Sequence, residues 1–264
     1  MAHILVAAEV RRHHMEQLRA AAPGCEFVFA ENPSDAEIQW AEVLFGNVPV
    51  ARLRGAEHLR MVQLQSAGVG EHRALCAPKR GIRLCTASGA YGLAIAEHMF
   101  GILLGLQKRL FAYRDQQFSG TWQDLGSVRS LFGATVLVVG LGDIGGEFAR
   151  RCKAFGASVT GIRRSLGVCP EYCDAVGVQA DADAWIPRAD VVFLCMPETE
   201  QTKRFMDRGR IARMKPGAIL LNAGRGSAID TDALADALRE GRLFGAGLDV
   251  TDPEPLPRDH PLWQ

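Results

Sequence analysis

Apolar and β-branched residues fall into short runs along the whole chain, separated by turns or by stretches rich in helix formers. The first series of runs covers residues 3–8, 25–30, 42–46, 61–65 and 82–86. Between the first two, residues 10–22 favour a helix and stop at Pro23-Gly24, a pair that ends helices. Strand, helix, strand in this order is a βαβ crossover, and its repetition predicts an open parallel sheet with helices on its faces. A long helical periodicity then runs from Ala94 to about Tyr113, with Ala94, Glu97, His98, Gly101, Leu104 and Gly105 mixing small, apolar and polar residues. So many small residues predict close packing on more than one side, in a position to bridge two domains and face a second subunit. Ser119-Gly120-Thr121-Trp122 reads as a loop leading onward.

A second series of runs covers residues 134–139, 158–162, 175–179, 190–195, 218–222 and 244–250, with helical stretches at 145–155 and 231–240 among them. The fold class is therefore α/β with two parallel-sheet domains, residues 1–93 and 94–264. With 264 residues, 48% of them hydrophobic, the chain can fill two cores. Its 30 basic and 30 acidic side chains leave no net field to hold nucleic acid or anionic lipid, so any binding comes from local sites. Residues 99–106, the longest apolar stretch, are too short to span a bilayer, which takes about 20 residues. The first eight residues read as a buried strand rather than a signal peptide, which predicts a cytoplasmic location. Seven cysteines contain no Cys-x-x-Cys, and Cys169 and Cys173 have no second pair to complete a zinc site. Reduced, mostly buried thiols and no metal are expected.

The chemistry is concentrated in the second series. Gly140-Leu141-Gly142-Asp143-Ile144-Gly145 is Gly-x-Gly-x-x-Gly between an apolar strand and a helix, the context of a dinucleotide-binding, Rossmann-type turn. Gly140 permits the tight turn, Gly142 lets a pyrophosphate approach the backbone, and Gly145 lets helix and strand pack closely. The helix N-terminus, including Asp143 and Ile144, offers free N–H groups to the phosphates. The next strand ends in Arg163-Arg164-Ser165, with no acid where an NAD-selective site carries one for the ribose 2′-hydroxyl. Two guanidinium groups and a hydroxyl suit a 2′-phosphate, so NADP(H) is preferred and NAD(H) possible; a solvated pair of surface arginines is the alternative.

Downstream, residues 215–226, containing Asn222-Ala223-Gly224-Arg225-Gly226, and residues 247–257, containing Asp249 and Glu254, resemble signatures of the D-2-hydroxyacid dehydrogenases. With the glycine motif and Met196-Pro197-Glu198-Thr199, these segments cover nearly all of the second domain. The Arg-Ser pattern after the second strand is similar to that of glyoxylate and hydroxypyruvate reductases. The resemblance implies a flavodoxin-like substrate domain at residues 1–93 and a Rossmann domain at 94–264. It also implies hydride transfer between NAD(P)H and a small 2-keto acid, probed best by turnover across such acids.

On that resemblance Arg225 binds the substrate carboxylate and polarises the ketone. Its place after a strand's carboxyl end and its planar fork suit that role on chemical grounds too. Glu254 matches the glutamate that hydrogen-bonds a catalytic histidine, and Asp249 the aspartate near the nicotinamide carboxamide. Met196, Pro197, Thr202, Ala223 and Gly224 fall at cofactor-binding positions. In Gln65-Ser66-Ala67-Gly68-Val69-Gly70, the N–H groups of Val69 and Gly70 match a loop that binds the substrate carboxylate, although a plain turn fits the same residues. His98 is expected to be a packed, hydrogen-bonded histidine.

The family's catalytic histidine follows a His-Pro-Leu-Trp-like stretch, and this sequence stops at His260-Pro261-Leu262-Trp263-Gln264. The chain is accordingly read as truncated, with His260 not the counterpart of that histidine. A nucleotide-sensing or interaction module on the same fold is the alternative function. A homodimer formed through the long helix and the Trp122 loop is expected from the resemblance.

Overall fold

The computed structural model describes residues 1–76 and 81–263, so Gln264 of the terminal stretch lies outside the described residues. The chain divides into two compact units, Met1–Tyr91 and Gly92–Gln264.

In the first unit, strands β1 (His3–Val6), β2 (Glu26–Phe29), β3 (Val43–Phe45), β4 (Met61–Gln63) and β5 (Arg83–Cys85) form a parallel sheet in the order β2-β1-β3-β4-β5. That is the flavodoxin-like order. Helix α1 (Arg12–Ala21) links β1 to β2, and α2 (Asp35–Trp40) links β2 to β3. The latter starts from a capping box in which Ser34 and Glu37 bond each other's backbone N–H. Glu37 lies below the ordinary carboxylate range because it accepts from the Ser34 N–H. Leu5, Ile38, Leu44, Leu53, Val62 and Leu64 fill the core.

The second unit carries α3 (Gly92–Gln107), α4 (Leu110–Ser119), β6 (Thr135–Val139), α5 (Asp143–Ala154), β7 (Ser158–Arg163), β8 (Ala175–Val178), α6 (Ala182–Trp185), β9 (Val191–Leu194), α7 (Arg208–Arg213), β10 (Ile219–Asn222), α8 (Thr231–Arg239) and β11 (Gly245–Leu248). Six parallel strands lie in the order β11-β10-β9-β6-β7-β8, the Rossmann order. Both faces are covered, which is why these strands read as unbroken apolar runs. Val136, Val138, Phe193 and Leu221 pack on the face carrying α3 and α5. Leu137, Val139, Val192 and Leu220 pack on the other, with Ile211 and Leu234 of α7 and α8.

All the expected strands are present, trimmed at their ends except that β7 extends to Arg163. The single long helix expected from residue 94 is instead two. Arg109 takes a left-handed conformation at φ 54 and separates α3 from α4. Lys108 leaves the helix to donate to the Arg129 carbonyl at 2.6 Å, and the Arg109 guanidinium stands 5.6 Å from the Phe244 ring centroid. Ring and carbonyl thus hold two residues that periodicity alone would keep helical. Among the cysteines whose burial is described, the expectation of mostly buried thiols holds only in part: Cys152 and Cys173 are buried, Cys25 and Cys85 are half-buried, Cys195 is half-buried with its sulfur enclosed, and Cys169 is exposed. Burial pushes the Cys173 thiol up to about 11. Among the described residues, no helix is long and apolar enough to cross a membrane, and no three His, Cys, Asp or Glu side chains group to hold a metal ion.

Candidate active site

Strand order reverses between β6 and β9, and ligands of open parallel sheets bind in the crevice outside such a reversal. The glycine motif sits there. Gly140, at φ 107, leaves β6 in a conformation few other residues adopt, and its N–H donates to the Ile162 carbonyl at 2.9 Å, tying the turn to the end of β7. A Cβ on Gly140 would stand 2.8 Å from the Cys195 carbonyl oxygen, so the turn lies directly on the end of β9. At Gly145 a Cβ would collide with the Gly140 carbonyl and approach the Cys195 sulfur to 2.8 Å, so helix and turn meet backbone to backbone. Gly142 has open space over its Cα. The Cys195 S–H donates to the Gly140 carbonyl at 2.9 Å, and burial holds this thiol well above its usual range.

This arrangement suits a dinucleotide. Crowding denies side chains to Gly140 and Gly145, while the one glycine expected to face a pyrophosphate is open, ahead of the unpaired N–H groups that begin α5. Ile144 is half-buried beside these groups, and the exposed Asp143 carboxylate lies against Gly92 at the start of α3.

At the end of β7 the two arginines differ. Arg163 turns back onto its own loop and donates from Nη1 to the Val168 carbonyl at 3.2 Å, while its buried Nε has no partner. Arg164 and Ser165 are exposed and, among the described residues, form no hydrogen bond or ion pair.

After β9, Met196 is buried and its backbone packs against Gly224, where a Cβ would lie 2.7 Å from the Met196 carbonyl oxygen. Pro197 is exposed beside it. The Thr202 hydroxyl is occupied within the following turn, accepting from the Thr199 N–H and donating to the Pro197 carbonyl, each at 2.8 Å. Glu198 accepts from the Ser227 hydroxyl at 2.5 Å. After β10, Ala223 and Gly224 are buried and Arg225 is exposed, its Nη1 donating to the Gly224 carbonyl at 2.7 Å. Asp249 follows β11, and its N–H donates to the Asn222 carbonyl at 2.9 Å.

The ends of β6, β7, β9, β10 and β11 thus bring residues 140–145, 163–165, 196–197, 223–225 and 249 to one edge of the sheet. Glu254 is exposed and has no bonding partner among the described residues. His260 faces Asp232 at 3.7 Å and accepts from the Leu262 N–H. Val69 and Gly70 belong to the first unit, after β4, where both are exposed and their N–H groups have no partner among the described residues. Gly70, at φ 45, is left-handed, and Ser66 donates to the Gly68 carbonyl at 2.7 Å across the turn.

His98 departs from expectation. It is more than half exposed on α3 and its Nε2 lies 3.5 Å from Asp249, so it faces the site edge instead of the core. Cys195 and Asn222, given no role from the sequence, also join the site. Asn222 carried a visible signal, a polar residue closing an otherwise apolar strand.

Residues 100–264 match the family model described as D-isomer specific 2-hydroxyacid dehydrogenase, NAD binding domain. The solved structure of a D-isomer specific 2-hydroxyacid dehydrogenase family protein from Aeromonas salmonicida is 36% identical, with a TM-score of 0.87 over 99% of this chain and 85% of that one. Mitochondrial formate dehydrogenase 2 of Oryza sativa subsp. japonica is 34% identical over 221 residues, 81% of this chain and 58% of that protein. D-3-phosphoglycerate dehydrogenase of Methanocaldococcus jannaschii is 34% identical over 211 residues, 78% of this chain and 40% of that protein. The chain belongs to the D-isomer specific 2-hydroxyacid dehydrogenase family.

Proposed function

We propose that the chain is the dinucleotide-binding and substrate-binding part of a reductase that converts a small 2-keto acid, such as glyoxylate or hydroxypyruvate, to the D-2-hydroxy acid. Residues 1–93 form its substrate domain and residues 94–264 its cofactor domain. The observation that carries the reading is the shared sheet edge, which holds both an open glycine turn for a pyrophosphate and an arginine with no acidic partner among the described residues.

A bound nicotinamide supplies the hydride. The chain's own residues do the rest. The Arg225 fork takes the substrate carboxylate and draws charge onto the ketone oxygen. In the first unit, Val69 and Gly70 offer a carboxylate two N–H groups that have no partner among the described residues. Asp249 orients the carboxamide of the nicotinamide, and Met196, Pro197, Ala223 and Gly224 wall the pocket around it, with Thr202 bracing that wall. The ketone oxygen would also need a proton; no histidine of the described residues is assigned as its donor, and Glu254 is the carboxylate that would hold a donating imidazole in its charged form.

NADPH is the preferred cofactor in this reading, with NADH accepted. The support is the absence of an acid at 163–165 and the Arg164 guanidinium, which has no partner among the described residues, with Arg163 and Ser165 beside it. NADPH oxidation by the whole protein across a panel of 2-keto acids tests the function: turnover with at least one small acid is expected, and cofactor binding without any turnover would contradict it.

A further inference from the structure

Asn222 ends β10 at the mouth of the site, yet it has no exposed surface. A buried amide is stable only when both of its ends are bonded, and this one bonds the two residues that follow Ala223. Its Oδ1 accepts from the Gly224 N–H at 2.9 Å and its Nδ2 donates to the Arg225 carbonyl at 2.9 Å. The direction of the amide is fixed, because Gly224 can only donate there and Arg225 only accept. The peptide unit between Gly224 and Arg225 is therefore gripped from both sides. It carries the Gly224 carbonyl, and that carbonyl braces the Arg225 guanidinium through Nη1 at 2.7 Å. The remaining guanidinium donors of Arg225 have no partner among the described residues.

We propose that Asn222 is a positioning residue that aims the Arg225 fork at the substrate carboxylate, by fixing the carbonyl on which the guanidinium leans. The inference rests on the reading of Arg225 given above. Asn222 touches no reacting atom, and the charged residues bonded to it, Arg225 and Asp249, meet it only through their backbones.

The test uses Asn222→Ala and the near-isosteric Asn222→Asp. A neutral aspartic acid can still accept from Gly224 and donate to the Arg225 carbonyl, whereas the ionised form cannot donate and repels that oxygen. Three quantities are followed in the whole protein: kcat/KM for glyoxylate, calorimetric affinity for the 2-keto-acid mimic oxamate, and melting temperature. At about pH 8, each variant should lose about a hundredfold in kcat/KM, the scale of a misplaced catalytic group, with a matching loss of oxamate affinity. For Asn222→Asp the deficit relative to wild type should shrink about tenfold on lowering the pH to about 5, as the carboxyl regains its proton. Asn222→Ala placed on Arg225→Lys should add little further loss.

A pH-independent deficit, losses that add in full to those of Arg225→Lys, or losses explained by melting temperature would overturn the inference. If Asn222→Ala does not fold, the pH profile of Asn222→Asp decides. A wild-type whole protein that neither turns over glyoxylate nor binds oxamate would instead overturn the function on which the inference rests.

Discussion

At the scale of single residues, substrate capture depends in this reading on a planar, multidentate donor. Lysine keeps the charge of Arg225 but offers a single ammonium that cannot bond the Gly224 carbonyl and span a carboxylate as the fork does. Arg225→Lys is expected to lower kcat/KM for 2-keto acids by about a hundredfold with dinucleotide affinity little changed, as steady-state rates and a nicotinamide fluorescence titration would reveal. Arg164, which has no partner among the described residues, is expected to meet the 2′-phosphate; Arg164→Ala should weaken NADPH binding by about tenfold or more and leave NADH alone. Equal losses for both cofactors would assign that arginine to the fold.

Residue chemistry of this kind was partly legible in the chain. Arg225 and the glycines announce themselves, since few other needs place an arginine between glycines after an apolar strand. Arg163 and Arg164 look alike in sequence, and only the Val168 carbonyl, five residues beyond Arg163, distinguishes them. The facing of His98 toward Asp249 was hidden for a similar reason, because helical spacing does not say which neighbour a half-apolar face meets.

Among elements, the β6 turn and α5 offer a contrast that separates binding from stability. Gly142→Ala adds a methyl group in open space and should cut dinucleotide affinity while leaving the melting temperature almost unchanged. Gly145→Ala drives the same methyl into the Gly140 carbonyl and should cost about 1–3 kcal/mol of stability, read from denaturant midpoints. The packing of α6 against α7 makes a pH signature. Arg210 bonds both oxygens of Asp183 at 3.0 Å, with Arg213 at 3.2 Å, and holds its carboxyl below the ordinary range. A carboxyl depressed in the folded state stabilises above its unfolded pKa, and that contribution is lost as pH falls through the folded value. The melting temperature should therefore fall below about pH 4, and Asp183→Asn should lower it at neutral pH while making the acid fall shallower. An unchanged acid slope would remove Asp183 from the explanation.

Element positions were the most legible part of the chain, because a strand buried on both faces must be a continuous apolar run. The short helices α2, α6 and α7 were not, being too brief to establish a period; Ser34 and Glu37 were the one local cue to α2. The break at Arg109 could not be seen either, since its causes, Phe244 and the Arg129 carbonyl, are remote in sequence.

For the whole molecule, α4 and the segment after it leave Phe118, Trp122, Val128 and Phe132 largely exposed, and Leu110, Tyr113, Gln117 and Trp122 line a groove of about 770 Å³. Large apolar side chains left bare on one stretch suit a second copy of the chain, and a homodimeric mass by light scattering is the expected result. A monomer at micromolar concentration would dispose of that expectation. The division into two α/β units follows from the two strand series, while their separate strand orders emerge only from pairing in three dimensions.

The most direct measurement is the fate of the transferred hydrogen. Glyoxylate incubated with the whole protein and with NADPH carrying deuterium at both positions of the reactive ring carbon should give glycolate with the label on carbon 2. Glycolate without label, or cofactor consumed with no glycolate formed, would contradict the assignment of the glycine turn and Arg225 to a single hydride-transfer site.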